Sequence, residues 1–243
     1  MKKILIATAL AALAAPALAD GHSVVRIGTE GAYAPYNFLN DAGEVDGFER
    51  EVGDELCRRA ELTCEWVTND WDSIIPNLTG GNYDAIMAGM SITDERDEVI
   101  DFTQNYSPPA ASAYVAASED ADLEGGVIAA QTNTIQSAYV AESGATLLEF
   151  ATYDETIAAV RNGEADAVFA DKDALLPTVE ESSGELMVVG EDVPLGGGVG
   201  IGLRESDGEL RGQLDAAIAS MKADGSLNEL IVKWFGEDAT VYE

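Results

Sequence analysis

The stretch that decides the fold is YDAIMAGMSITDER, residues 83–96, which predicts a buried strand, a tight turn and a capped helix start. The strand covers residues 84–88 and the helix begins near Thr93, so that Arg96 falls in the first helical turn. Backbone N–H groups at a helix start attract anions, and an arginine can bind a carboxylate through two hydrogen bonds. Two interpretations stay open here. Arg96 binds the carboxylate of a ligand, or it pairs with a neighbouring Asp or Glu on the helix surface.

Strands and helices alternate on the N-terminal side of this stretch. The predicted elements are strands over 24–28 and 64–67, a helix over 49–61, and a helix that begins near Asp70 and ends at Gly80-Gly81. Such alternation favours a parallel sheet that binds ligands at the carboxyl ends of its strands. The Gly-, Pro- and Asn-rich segment 28–47 is predicted to be a loop, and its acidic part, Asn40–Gly47, a solvated turn.

A second unit with the same order of elements follows. Its predicted elements are strands over 126–130, 165–170 and 186–190, a helix from Thr134, a helix over 154–162, and C-terminal helices over 207–223 and 226–235. Asp84–Ala88 and Asp166–Ala170 share an outline, in which Asp-Ala begins an apolar strand shortly after a glycine. If this local repeat is structural and not chance, Gly89 and Asp171 occupy equivalent strand ends. The glycine-rich stretch Val193–Gly202 lacks a dinucleotide-binding pattern and favours a hinge or crossover between the units.

Composition and the N terminus predict an exported protein. Residues 1–19 combine two lysines, an apolar run and a small-residue cleavage site, which is the pattern of a secretory signal peptide; a short membrane anchor is the alternative. The formal net charge of −32 argues against nucleic acid or an anionic membrane as a partner, because phosphate binding needs a basic face. Cys57 and Cys64 predict one disulfide in an exported chain, with two free thiols as the alternative. Since His22 is the only histidine, a histidine-based triad and a histidine-ligated zinc site are excluded, and we expect no cofactor or metal.

Four motifs carry a resemblance to a known family. They are VRIGTEGAYAPYNF at 25–38, GFE at 47–49, DWDSIIPNL at 70–78, and AGMSIT at 88–93 followed by Arg96. Together they resemble the periplasmic polar-amino-acid-binding proteins of ABC importers, most closely the lysine/arginine/ornithine/histidine and opine binders. The resemblance covers essentially the whole mature chain. It implies an α/β fold of the periplasmic-binding-protein type II, with two α/β lobes joined by a two-strand hinge and the ligand cleft between them. One lobe is expected at 20–108 with 197–243, and the other at 109–196.

The resemblance also implies how the ligand backbone is bound. In the family, the arginine that matches Arg96 binds the α-carboxylate with the help of Ser91, and the aspartate that matches Asp171 binds the α-ammonium. Simple electrostatics agrees, because a desolvated amino acid needs one cation and one anion facing it. Further donors are expected from the helix start at Thr134, Ile135 and Gln136.

Glu30, Tyr33 and Trp71 are expected to select the ligand side chain. In the basic-amino-acid binders, matching positions hold an acid and two aromatic rings, which suit a cation on an aliphatic stem. Ala88 and Gly89 stand where some members have hydroxyl residues, and they belong to the expected site. The resemblance therefore implies a monomeric periplasmic receptor that delivers an L-amino acid, with a basic side chain, to a membrane ABC permease. An opine or a neutral polar amino acid is the alternative ligand.

An enzyme on the same scaffold is a second class of function. Some dehydratases of cyclohexadienyl compounds share this fold and carry an extra catalytic carboxylate shortly after the strand-end aspartate. The residues that follow Asp171 are Lys172, Asp173 and Ala174, which do not clearly supply that group. We therefore expect a receptor without catalytic activity, and its use by a chemoreceptor stays open.

Overall fold

The computed structural model describes residues 24–243, so the signal peptide expected at 1–19 lies outside the described residues. The strands are β1 (Val25–Thr29), β2 (Ala32–Tyr33), β3 (Asn37–Leu39), β4 (Val45–Asp46), β5 (Cys64–Thr68), β6 (Ala85–Ile86), β7 (Asp101–Ser107), β8 (Ala111–Ala116), β9 (Val127–Gln131), β10 (Thr146–Phe150), β11 (Ala167–Asp171), β12 (Met187–Pro194) and β13 (Val199–Leu203). The α-helices are α1 (Phe48–Arg59), α2 (Ile74–Thr79), α3 (Asp94–Asp97), α4 (Ile135–Ala141), α5 (Tyr153–Arg161), α6 (Lys172–Glu181), α7 (Gly208–Asp224) and α8 (Ser226–Phe235). A 3₁₀ turn, Trp71–Ser73, precedes α2. None of the helices in this range has the length and apolar character needed to span a membrane.

Two five-stranded sheets form the framework of the molecule. The strand order is β5-β1-β6-β13-β7 in the first sheet and β10-β9-β11-β8-β12 in the second. The first three strands of each sheet are parallel, as predicted, but β13 and β8 run antiparallel to both of their neighbours. The prediction of parallel sheets is therefore wrong in part. The chain passes from one sheet to the other directly between strands, at 108–110 and 195–198, and each strand that follows such a passage enters its sheet reversed.

The local repeat seen in the sequence is structural. β6 and β11 are the third strands of their sheets, and each has a parallel neighbour on one side and an antiparallel neighbour on the other. Gly89 follows β6, and Asp171 is the last residue of β11. The two positions therefore occupy equivalent ends of equivalent strands, which is where sheets of this kind bind ligands.

The N-terminal loop prediction is wrong, because segment 28–47 contains a small antiparallel sheet of order β2-β3-β4. Residues 41–44 are exposed as predicted for the acidic turn, but Val45 is buried and pairs with Leu39. The apolar residues on either side of the turn close the hairpin. Sequence periodicity also missed β7, β8, β10 and α6, and the helix predicted from Thr93 is only four residues long.

Helix α1 shows how the predicted amphipathic pattern packs. Phe48, Val52 and Leu56 follow one another at intervals of four residues, and all three are buried in the main hydrophobic core. The last turn of this helix carries Cys57, which forms the predicted disulfide with Cys64 at the start of β5. This bond confirms the pairing and ties the helix to the edge of the first sheet.

The glycine-rich stretch contains the second passage between the sheets. Gly196 and Gly198 have φ values of +71° and +87°, which favour glycine. A Cβ at Gly198 would also lie 2.6 Å from the carbonyl oxygen of Ser107, so no larger residue fits there without a backbone shift. The Asn105 side chain donates to the carbonyl of Gly197 at 3.0 Å and so links β7 to the second passage.

Candidate ligand-binding site

A cavity lies where the ends of the two sheets face each other. All eleven residues predicted from the sequence line it: Glu30, Tyr33, Trp71, Ala88, Gly89, Ser91, Arg96, Thr134, Ile135, Gln136 and Asp171. The empty space between the lining atoms, with the mouth included, is about 460 Å³. The structure therefore brings the predicted residues together, and their role in binding stays a prediction.

Arg96 reaches the cavity from the short helix α3. Thr93 caps this helix, since its hydroxyl accepts a hydrogen bond from the backbone N–H of Arg96 at 3.2 Å. The guanidinium donates to the carbonyls of Ser91 and Asn133, at 2.8 and 3.1 Å. It also lies 5.4 Å from the ring centroid of Trp71, within reach of a cation–π interaction. The backbone and the indole ring thus fix the guanidinium while leaving its charge uncompensated.

The charge of Arg96 has no carboxylate partner within residues 24–243. Each of its side-chain hydrogen bonds in this range ends on a carbonyl oxygen. Burial lowers the pKa of Arg96 to about 10, and the charges of Asp171 and Glu95 only partly oppose that shift. The alternative of a surface ion pair is therefore wrong for this structure. A desolvated guanidinium of this kind favours the binding of an anionic group.

Asp171 lies at the end of β11 and faces the same cavity. Its carboxylate accepts hydrogen bonds from the Tyr33 hydroxyl at 2.7 Å and from the Gln136 amide at 2.9 Å. Burial raises the pKa of Asp171 to about 6, while these two donors act in the opposite direction. The Gln136 amide also donates to Ser112 at 2.9 Å, which fixes its orientation. The two donors thus fix the orientation of the Asp171 carboxylate, which can also accept hydrogen bonds from a ligand cation.

Glu30 is the second carboxylate of the cavity. It accepts a hydrogen bond from the Gln131 amide at 2.7 Å. Burial raises the pKa of Glu30 to about 7, and the negative charges of Asp154, Asp72 and Asp70 add to the increase. No Lys or Arg in the described part of the chain forms an ion pair with it. A bound cation would therefore stabilise the ionised form of Glu30, which burial and the neighbouring carboxylates disfavour.

The start of α4 lies beside the cavity. The Thr134 hydroxyl accepts a hydrogen bond from the backbone N–H of Ser137 at 3.0 Å, which caps the helix. Ile135 and Gln136, the first two residues of α4, line the cavity. First-turn N–H groups of a helix have no partner within the helix, so this end can supply donors to a ligand.

Five lining residues were missed by the sequence analysis: Gln131, Tyr153, Thr156, Phe169 and Ala170. Gln131 had a usable signal, since it is a polar residue at the end of an apolar strand. Phe169 and Ala170 directly precede Asp171 on β11. Tyr153 packs edge-on against Tyr33, with 5.2 Å between ring centroids, and this contact joins positions far apart in the chain. Over residues 24–243, no cluster of His, Cys, Asp or Glu is placed to hold a metal ion.

The chain is similar to known bacterial binding proteins. The model of the bacterial extracellular solute-binding proteins, family 3, matches residues 25–237. The chain is 33% identical to the histidine-binding periplasmic protein of Salmonella typhimurium, over 98% of each chain. It is 34% identical to the L-arginine-binding protein of Pseudomonas aeruginosa, again over 98% of each.

A solved structure is also similar over nearly the whole described chain. It is a periplasmic His/Glu/Gln/Arg/opine family-binding protein from Silicibacter pomeroyi in complex with lysine, with 78% identity and a TM-score of 0.89. The match covers 90% of this chain and 100% of that one. The fold is thus the predicted periplasmic-binding-protein type II. The chain belongs to the bacterial extracellular solute-binding proteins, family 3.

Proposed function

We propose that this protein is a periplasmic receptor that binds a basic L-amino acid, such as arginine or lysine, and delivers it to an ABC permease. The observation that carries the proposal is the charge pattern of the cavity. Among the described lining residues, Arg96 is the only cation, and Glu30 and Asp171 are the only carboxylates. Names of relatives that bind histidine, arginine or lysine support the same ligand class.

The charges of the site match a ligand with one anion and two cations. The cavity carries a net charge of minus one when both carboxylates are ionised. A basic amino acid carries a net charge of plus one, with its α-carboxylate assigned to Arg96, its α-ammonium to Asp171 and its side-chain cation to Glu30. Each desolvated charge then has a partner, which avoids the large cost of an unpaired buried charge. An opine brings a second carboxylate, for which the described lining offers no second cation.

The aromatic residues suit the stem of such a ligand. Tyr33 and Trp71 are both buried, and both line the cavity. The Tyr33 hydroxyl is committed to Asp171, and the Trp71 indole N–H donates to the carbonyl of Thr132 at 3.0 Å. Because these polar groups are occupied, the two side chains offer mainly apolar ring surface. An aliphatic stem or a planar guanidinium can pack there.

Closure of two lobes over the ligand is part of the proposal. The division at 20–108 with 197–243 and at 109–196 follows the two passages between the sheets. Hydrogen bonds that span the cleft, from Trp71 to Thr132 and from Arg96 to Asn133, would form only when the lobes approach. Ligand contacts made to both sides favour the closed state, because a ligand shifts an equilibrium by its difference in affinity for the two states.

Isothermal titration calorimetry of the purified protein with arginine, lysine, ornithine, histidine, glutamine and octopine tests this function. The protein should first be unfolded and refolded to remove any ligand that copurifies. We expect one binding site per monomer, the basic amino acids to bind most tightly, and octopine to bind at least about tenfold more weakly because of its second carboxylate. Absence of binding to the whole panel would contradict the proposed function. Preferential binding of glutamine would contradict the assignment of a ligand cation to Glu30.

A further inference from the structure

Glu49 is a fully buried carboxylate just behind the cavity. It lies in the first turn of α1, has 0% exposure and is not among the lining residues. Its Oε1 accepts hydrogen bonds from the Gly89 backbone N–H at 2.7 Å and from the Tyr106 hydroxyl. Its Oε2 accepts from the Asn37 amide at 2.7 Å. One side chain thus joins three segments that are remote from one another in the sequence.

The hydrogen-bond partners of Glu49 are all arranged as donors. A backbone N–H such as that of Gly89 can only donate. The Asn37 side chain must present its NH₂ group to Glu49, because its Oδ1 accepts the backbone N–H of Gly31 at 2.7 Å. The two oxygens of the buried carboxylate accept hydrogen bonds from three donors, so both sides of the group need an acceptor. An amide at position 49 would place its own NH₂ group against one of these donors.

These contacts act on the groups that face the cavity. The Ala88–Gly89 peptide bond is trans, so the Ala88 carbonyl points away from the N–H that binds Glu49, and both residues of this peptide line the cavity. Gly89 has a φ of +62°, and a Cβ added there would lie 3.2 Å from the Tyr33 ring. The Asn37–Gly31 hydrogen bond fixes the start of the segment that carries Tyr33.

We propose that Glu49 is a positioning residue for the ligand site. Through Gly89 it orients the peptide at the end of β6, and through Asn37 it holds the segment beside Glu30 and Tyr33. This inference deepens the proposed function and rests on it. Glu49 itself does not touch the ligand. Its effect on affinity comes from the geometry of the groups that do.

The test is the affinity of Glu49→Gln for L-arginine, measured by calorimetry well below the melting temperature. The replacement is nearly isosteric but places an NH₂ group against one of three donors. We expect Kd to rise about tenfold or more, as for the loss of a hydrogen bond to a charged group. In Asn37→Asp/Glu49→Gln the acceptor and donor exchange places, so Gly31 and Gly89 both keep an acceptor. We expect this double variant to recover Kd to within about threefold of the wild-type value.

Asp84→Asn is the matched control for lost stability. Asp84 binds Arg26 and Arg204 in the same lobe, away from the cavity lining. The control should lower the melting temperature and leave Kd unchanged. If Glu49 had only a structural role, Glu49→Gln would behave in the same way as this control.

The outcomes separate this inference from the proposed function. Wild-type protein that binds no amino acid contradicts the function itself. Wild-type binding with Glu49→Gln unchanged in Kd overturns the positioning role, and so does a double variant that binds no better than Glu49→Gln. If Glu49→Gln does not fold, Tyr106→Phe decides, because it removes one donor and keeps the carboxylate. It should raise Kd by about threefold or more, and an unchanged Kd would overturn the inference.

Discussion

Replacing Glu30 by Gln tests how the site selects its ligand. The amide keeps the shape of the side chain and can still accept the hydrogen bond that Gln131 donates at 2.7 Å. The change therefore removes a negative charge and little else. In the proposed complex, this leaves the side-chain cation of arginine desolvated and without an anion. Glutamine, which carries no such cation, does not lose this interaction.

The structure sets the size of the expected effect. Glu30 is half-buried, and its raised pKa of about 7 reflects the loss of solvent around it. A charge-assisted hydrogen bond in such a site contributes about 1.5–3 kcal/mol, and the unpaired ligand cation adds to the loss. A total of about 2–4 kcal/mol corresponds to a rise in the Kd for arginine of about 30- to 1,000-fold. The Kd for glutamine should stay the same or fall.

Calorimetric titrations at pH 8, where wild-type Glu30 is mostly ionised, provide the measurement. Asp154→Asn is the matched control, because Asp154 is exposed and raises the pKa of Glu30 through its charge without lining the cavity. It should change the arginine Kd by less than about threefold. Equal losses for arginine and glutamine in Glu30→Gln, or an arginine Kd within about threefold of wild type, would refute the pairing of Glu30 with the ligand cation.

Three further measurements follow from the same structure. Arg96→Ala should raise the Kd for arginine by at least about 100-fold, because it leaves the α-carboxylate unpaired, and a loss below tenfold would contradict that assignment. The affinity for arginine should fall by about 30-fold or more from pH 8 to pH 5.5, because cation binding needs ionised Glu30 and Asp171, whose ligand-free pKa values are about 7 and about 6. A flat pH profile would contradict the ionised form of both carboxylates in the complex. Reduction of the Cys57–Cys64 disulfide, which closes a loop with a separation of 7, should cost about 2 kcal/mol of unfolding free energy and lower the melting temperature without changing Kd, since neither cysteine lines the cavity.

Local patterns were sufficient for several of the elements that carry the predicted site, although not for the segment that carries Glu30 and Tyr33. The four-residue spacing of apolar side chains identifies α1, and the Thr93 and Thr134 caps mark two helix starts that the structure confirms. The same local patterns did not predict the direction of the strands. Whether β13 runs with or against its neighbours depends on which sheet the chain has just left, and no local pattern in Val199–Leu203 contains that information.

The hydrogen-bond partners of the acidic residues in the site could not be predicted from local patterns either. Asp171 was predicted from a strand end, whereas Gln131, the direct partner of Glu30, was missed although it also ends a strand. A partner 101 positions away can be recognised only when the packing of both elements is known. The residue types of the cavity were therefore predictable, and their pairing was not.

The sequence by itself determined the alternation of strands and helices, through periodicity and capping, and its two cysteines indicated the disulfide. The chemical types gathered at the site were implied by the resemblance of its motifs to a known family. Only the tertiary structure decided what each charge does. Arg96 could equally have formed a surface ion pair, and Glu49, although part of the GFE motif, is in sequence an acidic residue of a first helical turn to which no role was assigned. The structure leaves the charge of Arg96 without a carboxylate within the described residues, and it surrounds Glu49 with donors from positions 37, 89 and 106. The physical reason is that desolvation and long-range hydrogen bonds come from packing between distant segments, which local propensity does not specify.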